Sequence, residues 1–140
     1  MVRSYDNLIF ETYIPGKEIQ VAIIGGKAIG AIELRPKRKF YDYTAKYKKS
    51  AKTEHIMPAA ILKKKYIEVL KISEKANKIL KCRGVTRCDF RFYNNNFYLL
   101  EVNTQPGMTK LSLVPEIARH SGISFKELVK WMVIDASINR

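Results

Sequence analysis

The stretch from Thr86 to Thr109 limits the possible folds more than any other. It reads T-R-C-D-F-R-F-Y, then N-N-N, then F-Y-L-L-E-V-N, and closes with T-Q-P-G-M-T. Polar and apolar residues alternate on both sides of the triple asparagine, which predicts an antiparallel hairpin. Cys88, Phe90 and Phe92 fall on one face of the first strand, and Arg87, Asp89 and Arg91 on the other. On the return strand, Tyr98, Leu100 and Val102 are expected to share a face, opposite to Phe97, Leu99, Glu101 and Asn103. A three-residue loop over Asn94, Asn95 and Asn96 would set Tyr93 against Phe97, Asp89 against Glu101 and Arg87 against Asn103.

Facing residues have Cβ atoms about 4.5–5.5 Å apart, so two facing carboxylates repel unless a cation lies between them. Two carboxylates and an amide carbonyl form an oxygen-only set suited to a hard cation such as magnesium. Magnesium keeps positions open for water and phosphates, so the hairpin reads as a platform for a metal-nucleotide complex. It reads equally well as a plain surface hairpin whose acids pair with Arg87 and Arg91. A one-residue slip of register would remove the metal geometry.

The next residues favour the first reading. Glu101-Val102-Asn103-Thr104-Gln105-Pro106-Gly107-Met108-Thr109 closely resembles the E-x-N-x-x-P-G-[MF]-T signature of the D-alanine–D-alanine ligases, in the ATP-grasp superfamily. Glu11-Thr12-Tyr13-Ile14-Pro15-Gly16-Lys17-Glu18 resembles the family's adenine-side pattern, E-x-x-[IL]-x-G-x-E. Thr12 departs from it, since a lysine often follows the first glutamate in relatives. Phe40-Tyr41-Asp42-Tyr43-Thr44-Ala45-Lys46-Tyr47 resembles a third family element, F-Y-D-Y-x-x-K-Y.

The resemblance covers nearly the whole chain but only the C-terminal portion of the family's enzyme. It implies an α+β fold, an ATP-grasp C-terminal subdomain in which antiparallel hairpins pack against helices, with residues 1–140 as one domain. The implied reaction is ATP-dependent joining of two D-alanines through an acyl phosphate. By resemblance, Asp89, Glu101 and Asn103 hold two magnesium ions, with manganese an alternative. Arg87 and the Gly107 backbone N–H stabilise the oxyanion of the tetrahedral intermediate. Glu11, Ile14 and Tyr41 belong to the nucleotide site, and Glu18 takes the ribose hydroxyls. Lys46 meets the terminal phosphates. Tyr47 helps close a loop over the site, and Ser112 with the Leu113 backbone holds the second substrate's carboxylate.

The family's N-terminal domain, glycine-rich phosphate loop and first D-alanine site have no counterpart in these residues. The partners expected are therefore D-alanine and either a separate N-terminal half chain or a second copy in a homodimer. A remnant or a fragment is equally consistent, and D-lactate stands beside D-alanine as a second substrate.

Length and composition fit this frame. The chain has 140 residues, enough for one modest core, and 46% are hydrophobic, which argues against disorder. No apolar run approaches the roughly 20 residues of a membrane span, and no signal-peptide core precedes Asp6. The cysteines Cys82 and Cys88 lack metal-site spacing. Cys88 alternates with phenylalanines and reads as a buried thiol in a reducing cytoplasm.

The net charge is +13, which admits polyanions as partners. Arg35 to Lys52 is strongly basic, with Asp42 its single acid. Tyr41, Tyr43 and Tyr47 lie among these lysines and could stack on bases, so a nucleic-acid-binding module is the competing class.

Elsewhere the pattern predicts a strand over Asn7–Ile14, a hairpin turning at Gly25-Gly26, and a short strand or extended segment from Thr53. A helix from Lys63 to Lys81 is expected to bury Val69, Ile72, Ala76, Ile79 and Leu80 and to close near Gly84. Pro115 marks the start of a helix and Gly122 its end. A last helix is expected to bury Leu128, Val129, Met132, Val133 and Ala136, capped by Ser124 and Glu127 with an Ile123–Leu128 staple. Trp131 lies off that stripe and is expected to face another domain. His55 and His120 read as packing or helix-end residues rather than ligands.

Overall fold

The computed structural model describes residues 9–36, 53–109 and 111–137. Strands β1 (Lys17–Ile24) and β2 (Lys27–Pro36) form the first hairpin. It turns at Gly25-Gly26 with φ of +56° and +80°, left-handed values that match the twist of a two-residue hairpin. Strand β3 (Thr53–Ile56) pairs along β2. Helix α1 (Lys63–Ile79) precedes β4 (Val85–Tyr93) and β5 (Asn96–Asn103). Helices α2 (Leu113–His120) and α3 (Phe125–Asp135) follow. The strands form a five-stranded sheet in the order β3-β2-β1-β4-β5, and each neighbouring pair is antiparallel. This is the expected α+β arrangement.

Alternation in the strands splits the core into two layers. Ile19, Val21, Ile23, Ala31, Cys88 and Phe90 face one way and meet Val69 of α1. Ala22, Ile32, Leu34 and Val85 face the other way and meet Val114, Ile117 and Leu128 from α2 and α3. Burial pushes the Cys88 thiol up to about 11, so it remains a protonated core residue.

Several elements differ from expectation. Residues 9–15 form no strand, although the pattern predicts one over Asn7–Ile14. The strand that follows, β1, is already paired on both sides by β2 and β4, so it offers this run no edge to join. Ile9 and Phe10 are left exposed.

In α1 the buried residues are Val69, Ser73 and Asn77, whereas Ile79 and Leu80 are exposed. Polar groups are tolerated on this face because each has a partner. Ser73 Oγ donates to the Val69 carbonyl at 2.8 Å, and Thr86 Oγ1 donates to Asn77 Oδ1 at 2.7 Å. The helix closes at Lys81, not Gly84. Lys81 takes φ +52°, and Cys82 N donates to the Asn77 carbonyl at 2.9 Å, a Schellman closure.

Helix α2 ends on Gly122 as expected, with Ile123 N donating to the Ala118 carbonyl at 2.9 Å. The capping box of Ser124 and Glu127 is present, and its hydrogen bonds lower the Glu127 carboxyl below its ordinary value. Val129 and Val133 of α3 are exposed. Trp131 instead packs on the α2–α3 core layer, lying 2.9 Å from where a Cβ on Gly25 would stand. The tight glycine turn makes room for the indole, and this corrects the expectation that Trp131 faces another domain.

Candidate functional site

One face of the sheet carries a polar row beside the α2–α3 layer. On β1 and β4, Glu18 lies opposite Arg91, Gln20 opposite Asp89 and Ala22 opposite Arg87. On β4 and β5, Asp89 lies opposite Glu101 and Arg87 opposite Asn103. The register therefore brings Glu18, Asp89, Arg87, Glu101 and Asn103 onto one face.

The hairpin reaches that register by another route than expected. Its turn has two residues, Asn94 and Asn95, with φ of +46° and +62°, and Tyr93 pairs with Asn96. Asparagine tolerates this left-handed region better than most residues. A bulge between Asp89 and Phe90 then takes up Leu100 and shifts the pairing by one. The bulge also reverses part of the expected face pattern. Phe97 packs in the α1 layer together with Val102, so Phe97 and Leu99 do not share the face of Glu101. Leu100 is 56% exposed beside Glu101.

Arg87 is the electrostatic centre of the row. Its Nε lies 2.6 Å from Asp89 Oδ1 and its Nη2 2.8 Å from Oδ2, a bidentate pair whose side chains are each 12% exposed. Glu101 Oε1 is 3.7 Å from the same guanidinium. The facing carboxylates are thus bridged by a cation, as their proximity requires. Asn103 Oδ1 accepts from Gln105 N at 3.0 Å, which fixes the start of the following loop. Among the described residues no three His, Cys, Asp or Glu side chains cluster in a way that could hold a metal ion.

The loop to α2 is knitted at its far end. Ser112 Oγ accepts from Thr109 N at 2.9 Å and meets Thr109 Oγ1 at 2.9 Å. The hydroxyl makes no cap bond to α2. A Cβ on Gly107 would stand 2.9 Å from Ser112 Oγ, so glycine lets the loop close on that hydroxyl. The Leu113 side chain belongs to the core, which leaves its backbone as the group it can offer a ligand.

Gly16 has a similar role at the start of β1. Its φ is +97°, and an added Cβ would lie 2.3 Å from the Phe92 carbonyl oxygen. Backbone cannot yield there, so Gly16→Ala is expected to destabilise the fold by more than ~1 kcal/mol. Urea denaturation tests this, and an unchanged midpoint would contradict the contact.

Other expected site residues are less closely gathered. Glu11 is exposed and Ile14 half-buried in the irregular segment before β1. Tyr41, Lys46 and Tyr47 lie outside the described residues. His55 Nδ1 meets Glu116 Oε2 at 2.7 Å, tying β3 to α2 in the packing role expected of it. Gln20 was not anticipated. It is a polar residue, 2% exposed, in the middle of the row, and the signal was its break in an otherwise apolar strand.

A basic groove lies by α1 and the β1–β2 turn, lined by Lys27, Lys71, Lys75, Lys78 and Arg83 among others. Glu74 within it is engaged, accepting from Ala28 N at 3.1 Å. The polar row contributes nothing to this groove.

Comparison with known proteins agrees with the fold. A family model described as "D-ala D-ala ligase C-terminus" matches residues 1–134. The chain belongs to this family of ligase C-terminal regions. It is 59% identical to the D-alanine–D-alanine ligase of Pelagibacter ubique, over 100% of this chain and 46% of that protein. It is 50% identical to that of Xanthobacter autotrophicus, over 96% of this chain and 45% of the relative. The solved structure of the Bacillus anthracis D-alanine–D-alanine ligase complexed with ATP superposes with a TM-score of 0.73 at 36% identity. That match covers 89% of this chain and 41% of the solved one. The chain thus spans less than half the length of these relatives.

Proposed function

We propose that this chain supplies the C-terminal part of an ATP-dependent D-alanine–D-alanine ligase. The observation that carries the reading is the polar row, where Asp89, Glu101 and Asn103 offer oxygen on the face that also holds Arg87 and Glu18. This donor set fits magnesium, with manganese as a substitute. Such ions, when bound, neutralise charge developing on the transferred phosphate. Glu18 accepts the ribose hydroxyls of ATP, and the segment holding Glu11 and Ile14 borders the adenine.

In the reaction one D-alanine carboxylate attacks the terminal phosphate, forming an acyl phosphate and ADP. The amine of a second D-alanine then attacks the acyl carbon, and phosphate leaves. Arg87 and the Gly107 N–H stabilise the oxyanion formed at that carbon. The Ser112 hydroxyl and the first turn of α2 hold the second carboxylate, since a helix N-terminus favours an anion. The grip on the first D-alanine comes from the family's N-terminal region. The product serves peptidoglycan precursor synthesis, and the compartment is the cytoplasm, where ATP is available.

Calorimetric titration of the chain with ATP and GTP, with and without magnesium, tests this reading. Magnesium-dependent binding that prefers ATP is expected. Magnesium-independent RNA or DNA binding, undisturbed by ATP and weakening steeply with salt, would instead assign the chain to the polyanion-binding class through its basic groove.

A further inference from the structure

Gln20 sits in mid-β1, opposite Ile32 on β2 and Asp89 on β4. Its Nε2 donates to Glu18 Oε1 at 3.1 Å. Its own Oε1 is buried and meets no donor among the described residues. Exchanging the amide oxygen and nitrogen does not help. Two acceptors would then face each other at Glu18, and the amide donors would lose their partner.

A buried acceptor without a donor is costly, whereas an apolar side chain of the same shape avoids that cost. Packing alone therefore favours leucine or methionine at position 20. The amide does something they cannot do, which is to hold the Glu18 carboxylate.

We propose that Gln20 is a positioning residue that fixes the plane of the Glu18 carboxylate, and so sets the preference of this site for ribonucleotide over deoxyribonucleotide. The inference rests on the nucleotide reading of the polar row. A carboxylate accepts along directions set by its plane. Without the Gln20 amide, Glu18 loses the hydrogen bond that directs Oε1, and with it part of the geometry needed for the ribose hydroxyls.

The test is calorimetric titration of the full chain and of Gln20→Leu with ATP, 2′-deoxy-ATP and 3′-deoxy-ATP in magnesium, together with thermal melts without nucleotide. The unsubstituted chain is expected to favour ATP by about tenfold, the size of one hydrogen bond to a charged group. Gln20→Leu is expected to reduce that preference to about twofold or less while melting at an equal or higher temperature. Gln20→Met should behave in the same way and replaces the leucine variant should that one fail to fold. An unsubstituted chain that binds ATP and its deoxy analogues equally would overturn the inference. So would variants that keep the full ribose preference, and a lowered melting temperature with the preference intact would make Gln20 purely structural. An unsubstituted chain that binds no adenine nucleotide would sink the nucleotide reading itself, and the inference with it.

Discussion

Arg87→Ala is expected to reduce turnover of the ligase assembled with its N-terminal half by about 10²–10³-fold, the cost of removing one oxyanion donor. Nucleotide affinity should change far less, because in the proposed mechanism the guanidinium acts on charge that develops after ATP is bound. The pair with Asp89 adds a second consequence. Arg87 holds both carboxylate oxygens, and Asp89 is 8% exposed. Removing the cation leaves a nearly buried carboxylate unpaired, a loss of about 3–5 kcal/mol for a buried pair. Magnesium can supply the missing charge, so it should raise the melting temperature of Arg87→Ala more than that of the parent. Arg87→Lys keeps the charge but not the bidentate fork and should fall between the two. Steady-state kinetics and melts with and without magnesium decide the matter. Equal losses in turnover and nucleotide affinity would make Arg87 a ground-state nucleotide contact. Robust dipeptide synthesis by the 140-residue chain alone would overturn the need for an N-terminal half.

Phe90→Ala is expected to destabilise the fold by about 3–5 kcal/mol. Domains of this kind have only about 5–15 kcal/mol in total, so a large unfolded fraction should appear in modest urea. Phe90 is fully buried. The ring of Phe97 stands edge-on to it, with centroids 6.0 Å apart, and Phe97 also packs on Phe92 at 4.6 Å. The residue also borders the β4–β5 bulge. Its anchoring keeps the bulge in place, and the bulge sets Asp89 against Glu101. The variant should therefore lose magnesium-dependent nucleotide binding even under conditions where it remains folded. A loss below about 1 kcal/mol would mean that this layer collapses around the gap.

Local chemistry made much of this protein legible from its residues. Alternation placed both hairpins, Gly25-Gly26 marked a left-handed turn, and Ser124 with Glu127 marked a helix start. Each of these signals depends on residues within a few positions of one another. The expected strand pairing likewise set Asp89 against Glu101, and the family signature singled out Glu101 and Asn103.

Long-range packing decided the rest. The Asp89–Glu101 and Arg87–Asn103 pairs came out as expected, but from a two-residue turn and a bulge at Leu100 instead of a three-residue loop. Composition cannot tell these apart, because three asparagines suit either, and the burial of Phe97 in the α1 layer selects one. Ser73 and Asn77 are buried because partners on their own helix and on β4 satisfy them. Trp131 turns inward because Gly25, distant in sequence, leaves space for the ring. Residues 9–15 remain irregular because both sides of β1 are taken. The sequence by itself determined most of the strands, the Gly25-Gly26 turn and the Ser124–Glu127 cap, since those preferences are local. Which polar groups end up buried, and against what, depends on contacts between segments far apart in the chain, and the tertiary structure alone decided them.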